Sequence, residues 1–311
     1  MSSTIDHETP ARPPKVSVCV ITYNHEKYLR QCLQSIVDQR TDFYFEIIVG
    51  DDCSTDGTRA IISEFARAYP DIVRVVLQER NTGGTGNYLD VHSRARGEYV
   101  AHIDGDDIAY AGKLQAQANA LDADPACSLV WHRMQVFNDS GSISVPNLPG
   151  VGMWPNGRVE LRDLLRFGSV GYHSSTMYRA TARLRSQLIE GDALDWLFAV
   201  ELLRAGHGCY LEAILGGYRN NPTTGISRAG DGQVRMRRLY RQHLRHYLRQ
   251  LPEFRRDIFV NCLINCLVDF INHRPSWVEF FRIALSSFSL IGLFQFPALL
   301  RRYRVIYPKI S

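Results

Sequence analysis

The sequence predicts an α/β domain built on a largely parallel sheet flanked by helices, followed by an α-helical C-terminal extension. Three observations carry this. Short apolar runs alternate with amphipathic stretches three times before residue 99. Polar clusters fall where these runs end, at Thr22-Tyr23-Asn24, Asp51-Asp52 and Asp104 to Asp107. Strand-like runs then stop, and from about Val234 onward only helical spacing remains.

The elements follow in order. Residues 1–14 are polar and end in Pro13-Pro14, so they read as a disordered lead. Val16 to Thr22 is a nearly continuous β-branched run, as in a strand buried on both faces. Asn24 is placed to cap a helix carrying Leu29, Cys32, Leu33, Ile36 and Val37. Phe45 to Val49 is a second strand, and its loop leads to a helix with Ile61, Ile62, Phe65, Ala66 and Tyr69. Val73 to Leu77 is a third strand, followed by a Gly-rich loop over 81–87 and a short helix over 88–96. Tyr99 to Ile103 is the next strand, and Lys113 to Asp122 the next helix.

Beyond it, Ser128 to Val136 reads as a strand and 138–157 as a long loop rich in Gly, Pro, Asn and Ser. Leu161 to Phe167 is helical, Ser174 to Tyr178 a strand, and Asp192 to Ala205 a helix closed by Gly206. Tyr210 to Tyr218 is extended and 219–227 a polar loop. The expected organisation is a lead over 1–14, an α/β domain over 15–230 and a helical extension over 231–311.

Composition narrows the class. Hydrophobic content of 45% and charged content of 22% are ordinary for a globular chain of 311 residues. The net charge of +4 is mild, and no nucleic-acid partner is expected. Nine arginines lie between Arg228 and Arg256, a block able to face anionic lipid or a phosphorylated substrate, or simply water. Seven scattered cysteines with no C-x-x-C pair give neither a disulfide framework nor a zinc motif, and they fit a reducing compartment. The first ten residues lack the basic and apolar regions of a secretory signal, so a cytoplasmic location is expected. The run from Ile283 to Leu300 is apolar but interrupted by three serines, Gln295 and Pro297. It fits an in-plane membrane helix or a packed hairpin better than a spanning helix.

Tyr99-Val-Ala-His-Ile-Asp-Gly-Asp-Asp107 places three carboxylates within four residues at a strand end. Like charges this close need a cation between them, and a divalent cation held by oxygen can also clamp a phosphate. In open α/β sheets ligands bind beyond the carboxyl ends of the strands. The carboxylates there could serve a base, a ribose and a cation, while Tyr23 could stack on the base. No G-x-x-x-x-G-K-[ST] is present. The glycines at 83, 84 and 86 do not form G-x-G-x-x-G, and Ala109 and Gln115 break an EF-hand counted from Asp104.

Four segments, V-S-V-C-V-I-T-Y-N, E-I-I-V-G-D-D-C-S-T-D-G-T, N-T-G-G-T-G-N and A-R-G-E-Y-V-A-H-I-D-G-D-D, resemble the successive signatures of glycosyltransferase family 2. The resemblance covers about residues 15 to 225 and implies that 15–230 is a catalytic domain, about 15–110 its nucleotide-binding half and about 111–230 its acceptor half. It implies the GT-A fold and a metal-dependent, inverting transfer of a sugar from a nucleotide-diphosphate donor, a UDP-sugar first among them, to a hydroxyl of a saccharide or lipid-linked acceptor. Surface polysaccharide or glycolipid synthesis is the implied setting, on the cytoplasmic face of a membrane if the C-terminal helices lie there. It implies that Thr22, Tyr23 and Asn24 line the base, that Asp52 accepts from it beside Asp51, and that Asp104 contacts the ribose. Asp106 would ligate Mg or Mn, with Asp107 its neighbour, and Arg219 would bring charge to the phosphates although Asn221 replaces a usual His. Asp192 would be the general base, with Asp195 second and His173 in the acceptor region; Gly191 stands where the family often has Glu. Two alternatives stay open: a non-catalytic nucleotide-sugar-binding protein, and a metal-dependent phosphoesterase.

Overall fold

The computed structural model describes residues 3–4, 13–144, 154–183, 191–220 and 231–306. The apolar β-branched run forms β2 (Val16–Thr22), after a short β1 (Ser3–Thr4). There follow α1 (Leu29–Val37), β3 (Phe45–Asp51), α2 (Thr58–Ala68), β4 (Val73–Leu77), α3 (Gly83–Ser93), β5 (Tyr99–Asp104) and β6 (Ile108–Ala109). Next come α4 (Lys113–Ala123), β7 (Cys127–Phe137), β8 (Ile143–Ser144), β9 (Arg158–Val159), α5 (Leu161–Phe167), β10 (Met177–Arg179), α6 (Asp195–Leu203) and β11 (His207–Arg219). The last helices are α7 (Gly232–Gln250), α8 (Arg255–Ile271), α9 (Trp277–Ser286) and α10 (Leu290–Ile306).

The chain divides into two compact units. One holds Met1–Pro146, Gly171–Ala193 and Glu201–Asn220; the other holds Asn147–Val170, Leu194–Val200 and Asn221–Ser311. The expected boundary at 230 therefore differs, because 147–170 and 194–200 group with the C-terminal helices.

In the first unit the strands run in the order β1-β4-β3-β2-β5-β10-β7-β11-β6. β2 is parallel to β3 and β5, β3 to β4, and β7 to β11, while β10 is antiparallel to both its neighbours. Register fixes what meets at the carboxyl edge: Thr22 pairs with Asp51, and Ile21 with Asp104. The three polar clusters thus end at one level. Beneath them Leu29, Cys32, Leu33 and Ile36 of α1 pack with Val18, Val20, Ile47, Val49, Ala101 and Ile103 of the sheet, which fixes the strand ends against a dry core.

Several elements depart from the expectations. Ser3 and Thr4 pair with Leu77 and Val76, so the lead is not wholly unstructured. Asn24 caps no helix; its φ is 54°, and Tyr28 precedes α1 without a side-chain cap. Its side chain instead accepts from the Thr55 amide. Helix α3 begins inside the Gly-rich segment because Asp52 holds the Thr82 amide at its start. Residues 173–175 form a 3-10 turn, leaving only Met177–Arg179 as strand. Helix α6 starts at Asp195 rather than Asp192. Gly191 ahead of it has φ 78°, a left-handed conformation with open space around it, which favours glycine where the family often has Glu.

The second unit packs α5 with α7, α8 and α9 around Leu164, Leu165, Tyr247, Ile258 and Phe280. Arg166 pairs with Asp257, and Arg237 with Asp269 and the face of Phe280, so part of the basic block is spent inside the unit. The apolar run 283–300 is divided between α9 and α10, with Pro297 inside α10. Among the described residues no helix is long and apolar enough to cross a membrane. Phe281, Leu285, Phe288, Leu290, Ile291 and Phe294 are nonetheless exposed.

Candidate active site

Two loops at the carboxyl edge are stitched together by their own polar groups. The Asn24 amide donates to Ser54 Oγ (2.9 Å), the His25 amide to Thr58 Oγ1 (2.9 Å), and the Gly57 amide to Glu26 Oε2 (2.6 Å). Tyr23 lies on this rim with 44% of its surface exposed, and Thr22 below it is buried with an Oγ1 that has no partner among the described residues. The neighbouring aspartates divide their work. Asp51 is fully buried and its Oδ2 takes Arg59 Nε at 2.6 Å and the Ser54 amide at 3.0 Å. Asp52 uses Oδ1 for the Thr82 amide (2.7 Å) and hydroxyl (2.8 Å); among the described residues its Oδ2 makes no hydrogen bond.

The second acidic loop is fixed at four points. The Gly105 amide donates to Ile21 O and the Asp107 amide to Asp104 O, both near 3 Å. Arg219 closes it from β11, its amide donating to Asp107 Oδ1 (2.8 Å) and its Nε to Asp106 O (3.0 Å). A Cβ at residue 105 would lie 2.9 Å from Thr22 Cβ and 3.0 Å from His25 Nδ1, so glycine is what lets the loop sit against β2. Strand β6, not foreseen from the sequence, pairs with β11 at Gly216 and Gly217 and brings Arg219 into place.

This assigns the three carboxylates differently. Asp104 is half-buried, with His102 Nε2 3.2 Å from Oδ1 and the Ser174 hydroxyl 3.3 Å from Oδ2. Burial opposes its charge, yet the hydrogen bond from His102 and the nearby His173 and His25 hold its carboxyl below the usual range. Asp106 is half-buried, and among the described residues no other residue donates a hydrogen bond to its carboxylate. Burial first, then the charge of Asp104, raises its pKa against the opposing pull of His25. Asp107, expected beside the metal, is 1% exposed and turned inward to the Arg219 amide. Burial and the other two aspartates push it well above the ordinary range.

The residues fit one divalent cation, held by Asp106 with donor oxygens completing its shell. Asp106 has an uncommitted carboxylate whose charge is disfavoured until a cation arrives. A cage made by the three aspartates alone does not fit, since among the described residues they do not gather three ligand atoms within 4.8 Å of one another.

Arg219 also differs from its expected role at the phosphates. Its NH1 binds Asp139 (3.0 Å), its NH2 binds Gln31 (2.8 Å), and its plane lies between Tyr28 and Phe137, 4.4 and 4.5 Å from their centroids. Asp139 further takes Lys27 Nζ and Tyr28 OH, and these hydrogen bonds hold its pKa down to about 2. Arg219 is a pin between β11 and α1. Asn221 lies outside the described residues.

Behind Asp104 runs a buried chain that no spacing along the sequence announces. Tyr178 OH is 2.7 Å from His92 Nδ1, and His92 Nε2 is 2.9 Å from His102 Nδ1. One set of neutral tautomers satisfies every link, each ring accepting on Nδ1 and donating from Nε2 toward Asp104. Burial keeps His92 neutral by lowering its pKa well below the usual value. His173, expected in the acceptor region, stacks on His102 at 3.8 Å and on Tyr88 at 5.1 Å, beside Asp104. Lys113 is also fully buried, donating to Ser174 O and meeting His132 Nε2, each at 2.9 Å. Burial lowers its pKa to about 7.

Asp192 is exposed, three residues ahead of α6, where the adjoining Ala193 amide donates to Thr85 Oγ1 of α3 (2.9 Å). Asp195 is exposed and begins α6, in the other unit.

A mostly parallel central sheet whose carboxyl edge carries Tyr23, Asp52, Asp104 and Asp106 has the architecture of the GT-A fold. The family model described as "Glycosyl transferase family 2" matches residues 17–182, and the chain belongs to that family. It is 30% identical over 175 residues to the putative glycosyltransferase EpsE of Bacillus subtilis, covering 55% of this chain and 63% of EpsE. Relatives of higher identity, 41% over 128 residues, are matched over 41% of this chain and only 37% of their own length. Among solved structures, Staphylococcus aureus TarS residues 1–349 in complex with UDP-GlcNAc aligns with a TM-score of 0.65 at 21% identity, covering 95% of this chain and 82% of that one. TarS is a poly(ribitol-phosphate) beta-N-acetylglucosaminyltransferase. The mannosyltransferase PcManGT from Pyrobaculum calidifontis, solved with GDP-Man and Mn2+, aligns with a TM-score of 0.55 at 18% identity, covering 99% and 91%. At these identities the two structures establish the fold.

Proposed function

We propose that this chain moves a sugar from a nucleotide-diphosphate donor to an acceptor hydroxyl, with inversion, using a Mg or Mn ion. The observation that carries the reading is the division of the aspartates at one sheet edge. Asp51 and Asp107 are buried and each gives one oxygen to the protein, with Asp51 Oδ1 and Asp107 Oδ2 unpartnered among the described residues; Asp52 Oδ2 and the half-buried Asp106 carboxylate keep capacity for a ligand. Tyr23 stacks on the base, Asp52 accepts from it, and Asp104, aimed by His102 and Ser174, accepts from the ribose. When bound, the cation neutralises the diphosphate and stabilises it as a leaving group. Asp192 takes the proton from the acceptor hydroxyl as that oxygen attacks the anomeric carbon.

The acceptor is a saccharide or lipid-linked glycan of surface-polysaccharide synthesis, a reading supported by the poly(ribitol-phosphate) in the name of TarS. The chain works on the cytoplasmic face of a membrane, where the exposed Phe288, Leu290, Ile291 and Phe294 of the C-terminal helices enter the lipid interface.

A thermal-shift panel of nucleoside diphosphates and nucleotide sugars, with and without Mn, tests the donor site. A metal-dependent rise in melting temperature with one nucleotide supports it, and no shift with any contradicts it. Asp192→Asn should then lower turnover roughly a hundredfold or more while donor affinity stays unchanged. Weakened donor binding in that variant would make Asp192 structural. Co-sedimentation with anionic vesicles, lost on replacing Phe288 and Phe294 by serine, tests the membrane contact.

A further inference from the structure

Strands β7 and β11 begin on the sheet edge opposite the carboxylates. Their first residues, Cys127 and His207, are register partners, and Cys209 follows after a shift of register next to His207. The Sγ atoms of Cys127 and Cys209 and one ring nitrogen of His207 all lie within 4.8 Å of one another. Cys127 and His207 are buried and Cys209 half-buried, and neither cysteine is in a disulfide. The imidazole is already held by a carboxylate, Asp124 Oδ2 lying 2.8 Å from His207 Nε2.

We propose that Cys127, Cys209 and His207, oriented by Asp124, form a site for a zinc-class divalent cation that staples the start of β7 to the start of β11. Two sulfurs and an imidazole select a borderline-soft ion over Mg or Mn. A carboxylate behind the histidine is the usual partner of a zinc-bound ring. Tetrahedral zinc sets its ligand atoms about 3.5 to 4 Å apart, and the atoms here all lie within 4.8 Å of one another. Two thiolates balance the ion's charge, so the loaded site is neutral and can lie against the apolar core that Cys127 adjoins. The half-buried side at Cys209 leaves a fourth position open to water. No local motif announces the site because its ligands lie on two distant strands. It is chemically separate from the oxygen site at Asp106.

The whole chain, expressed with zinc supplied and dialysed into metal-free buffer, should carry close to one zinc per chain by plasma mass spectrometry. Cys209→Ser should carry none, while Asp106→Ala should carry as much as the unaltered chain, which separates this site from the donor site. In the stripped but unaltered chain, zinc should raise the melting temperature, and cobalt should produce thiolate-to-metal charge-transfer absorption. Three results would overturn the proposal: no zinc content together with no thermal or spectral response to added metal; zinc retained in Cys209→Ser; or a Cys127–Cys209 disulfide in the non-reduced protein.

Discussion

The two acidic loops at the sheet edge solve one problem in the same way. At the end of β3, Asp51 is buried against Arg59 while Asp52 keeps one oxygen uncommitted among the described residues. After β5, Asp107 is buried against the Arg219 amide while Asp106 keeps its carboxylate. In each adjacent pair one buried aspartate ties the loop through one oxygen, and the other is the one proposed to meet the ligand. The loops differ in what anchors them. Asp51 finds its cation eight residues on, at the start of α2, whereas Asp107 waits for a strand more than a hundred residues later. The first loop is a local structure; the second is completed only when the far half of the sheet has formed.

The largest expected effect breaks the second pair on its ligand side. Asp106→Ala should lower metal-dependent turnover roughly a thousandfold, measured as nucleoside diphosphate released with Mn at saturation, while the melting temperature holds. Next, on the catalytic side of the same reaction, Asp192→Asn should show its roughly hundredfold loss in turnover at unchanged donor affinity. On the protein side of the pairs, Asp107→Ala and Asp51→Ala should each cost about 1–3 kcal/mol of stability by denaturant unfolding, because each strands a buried donor. If Asp51→Ala proves neutral while Asp107→Ala does not, the parallel between the loops fails.

Tyr23→Ala should weaken nucleotide binding about tenfold with little change in turnover at saturation, as expected for loss of one exposed stacking ring. The smallest effect concerns Lys113, whose folded pKa is lowered by burial to about 7 from an ordinary 10.5. Between those values the unfolded chain binds a proton that the folded chain does not, so this group makes stability rise with pH across the window. Below about pH 7 both states are charged and its contribution is flat. Lys113→Met should therefore show a shallower rise in melting temperature from pH 7 to 9 than the unaltered chain.

The central strands were legible because β2, β3 and β5 are nearly continuous apolar runs, and burial on both faces leaves no other place for such a run. Their polar ends at Thr22, Asp51 and Asp104 were legible for the same reason. What the sequence hid depends on pairing at long range. The two-residue β6 has no periodicity to read, yet it carries Arg219 to Asp107. An arginine near a donor site reads as a phosphate clamp until Asp139, Gln31, Tyr28 and Phe137 are seen to use it. The chain from Tyr178 through His92 and His102 to Asp104 joins two strands and a helix, so no spacing along the sequence reveals it. Helix α6 was placed too early because Asp192 has the chemistry of a cap, while Gly191 turns the backbone away from helix just before it.

The claim on which the rest depends is that Asp106 meets the metal and Asp107 does not. Manganese binding in the presence of a saturating nucleoside diphosphate, followed by electron paramagnetic resonance in Asp106→Ala and Asp107→Asn, addresses it directly. Manganese affinity should collapse in Asp106→Ala and stay within a few-fold of the unaltered chain in Asp107→Asn. The opposite pattern, or equal losses in the two variants, would contradict the division of the pair.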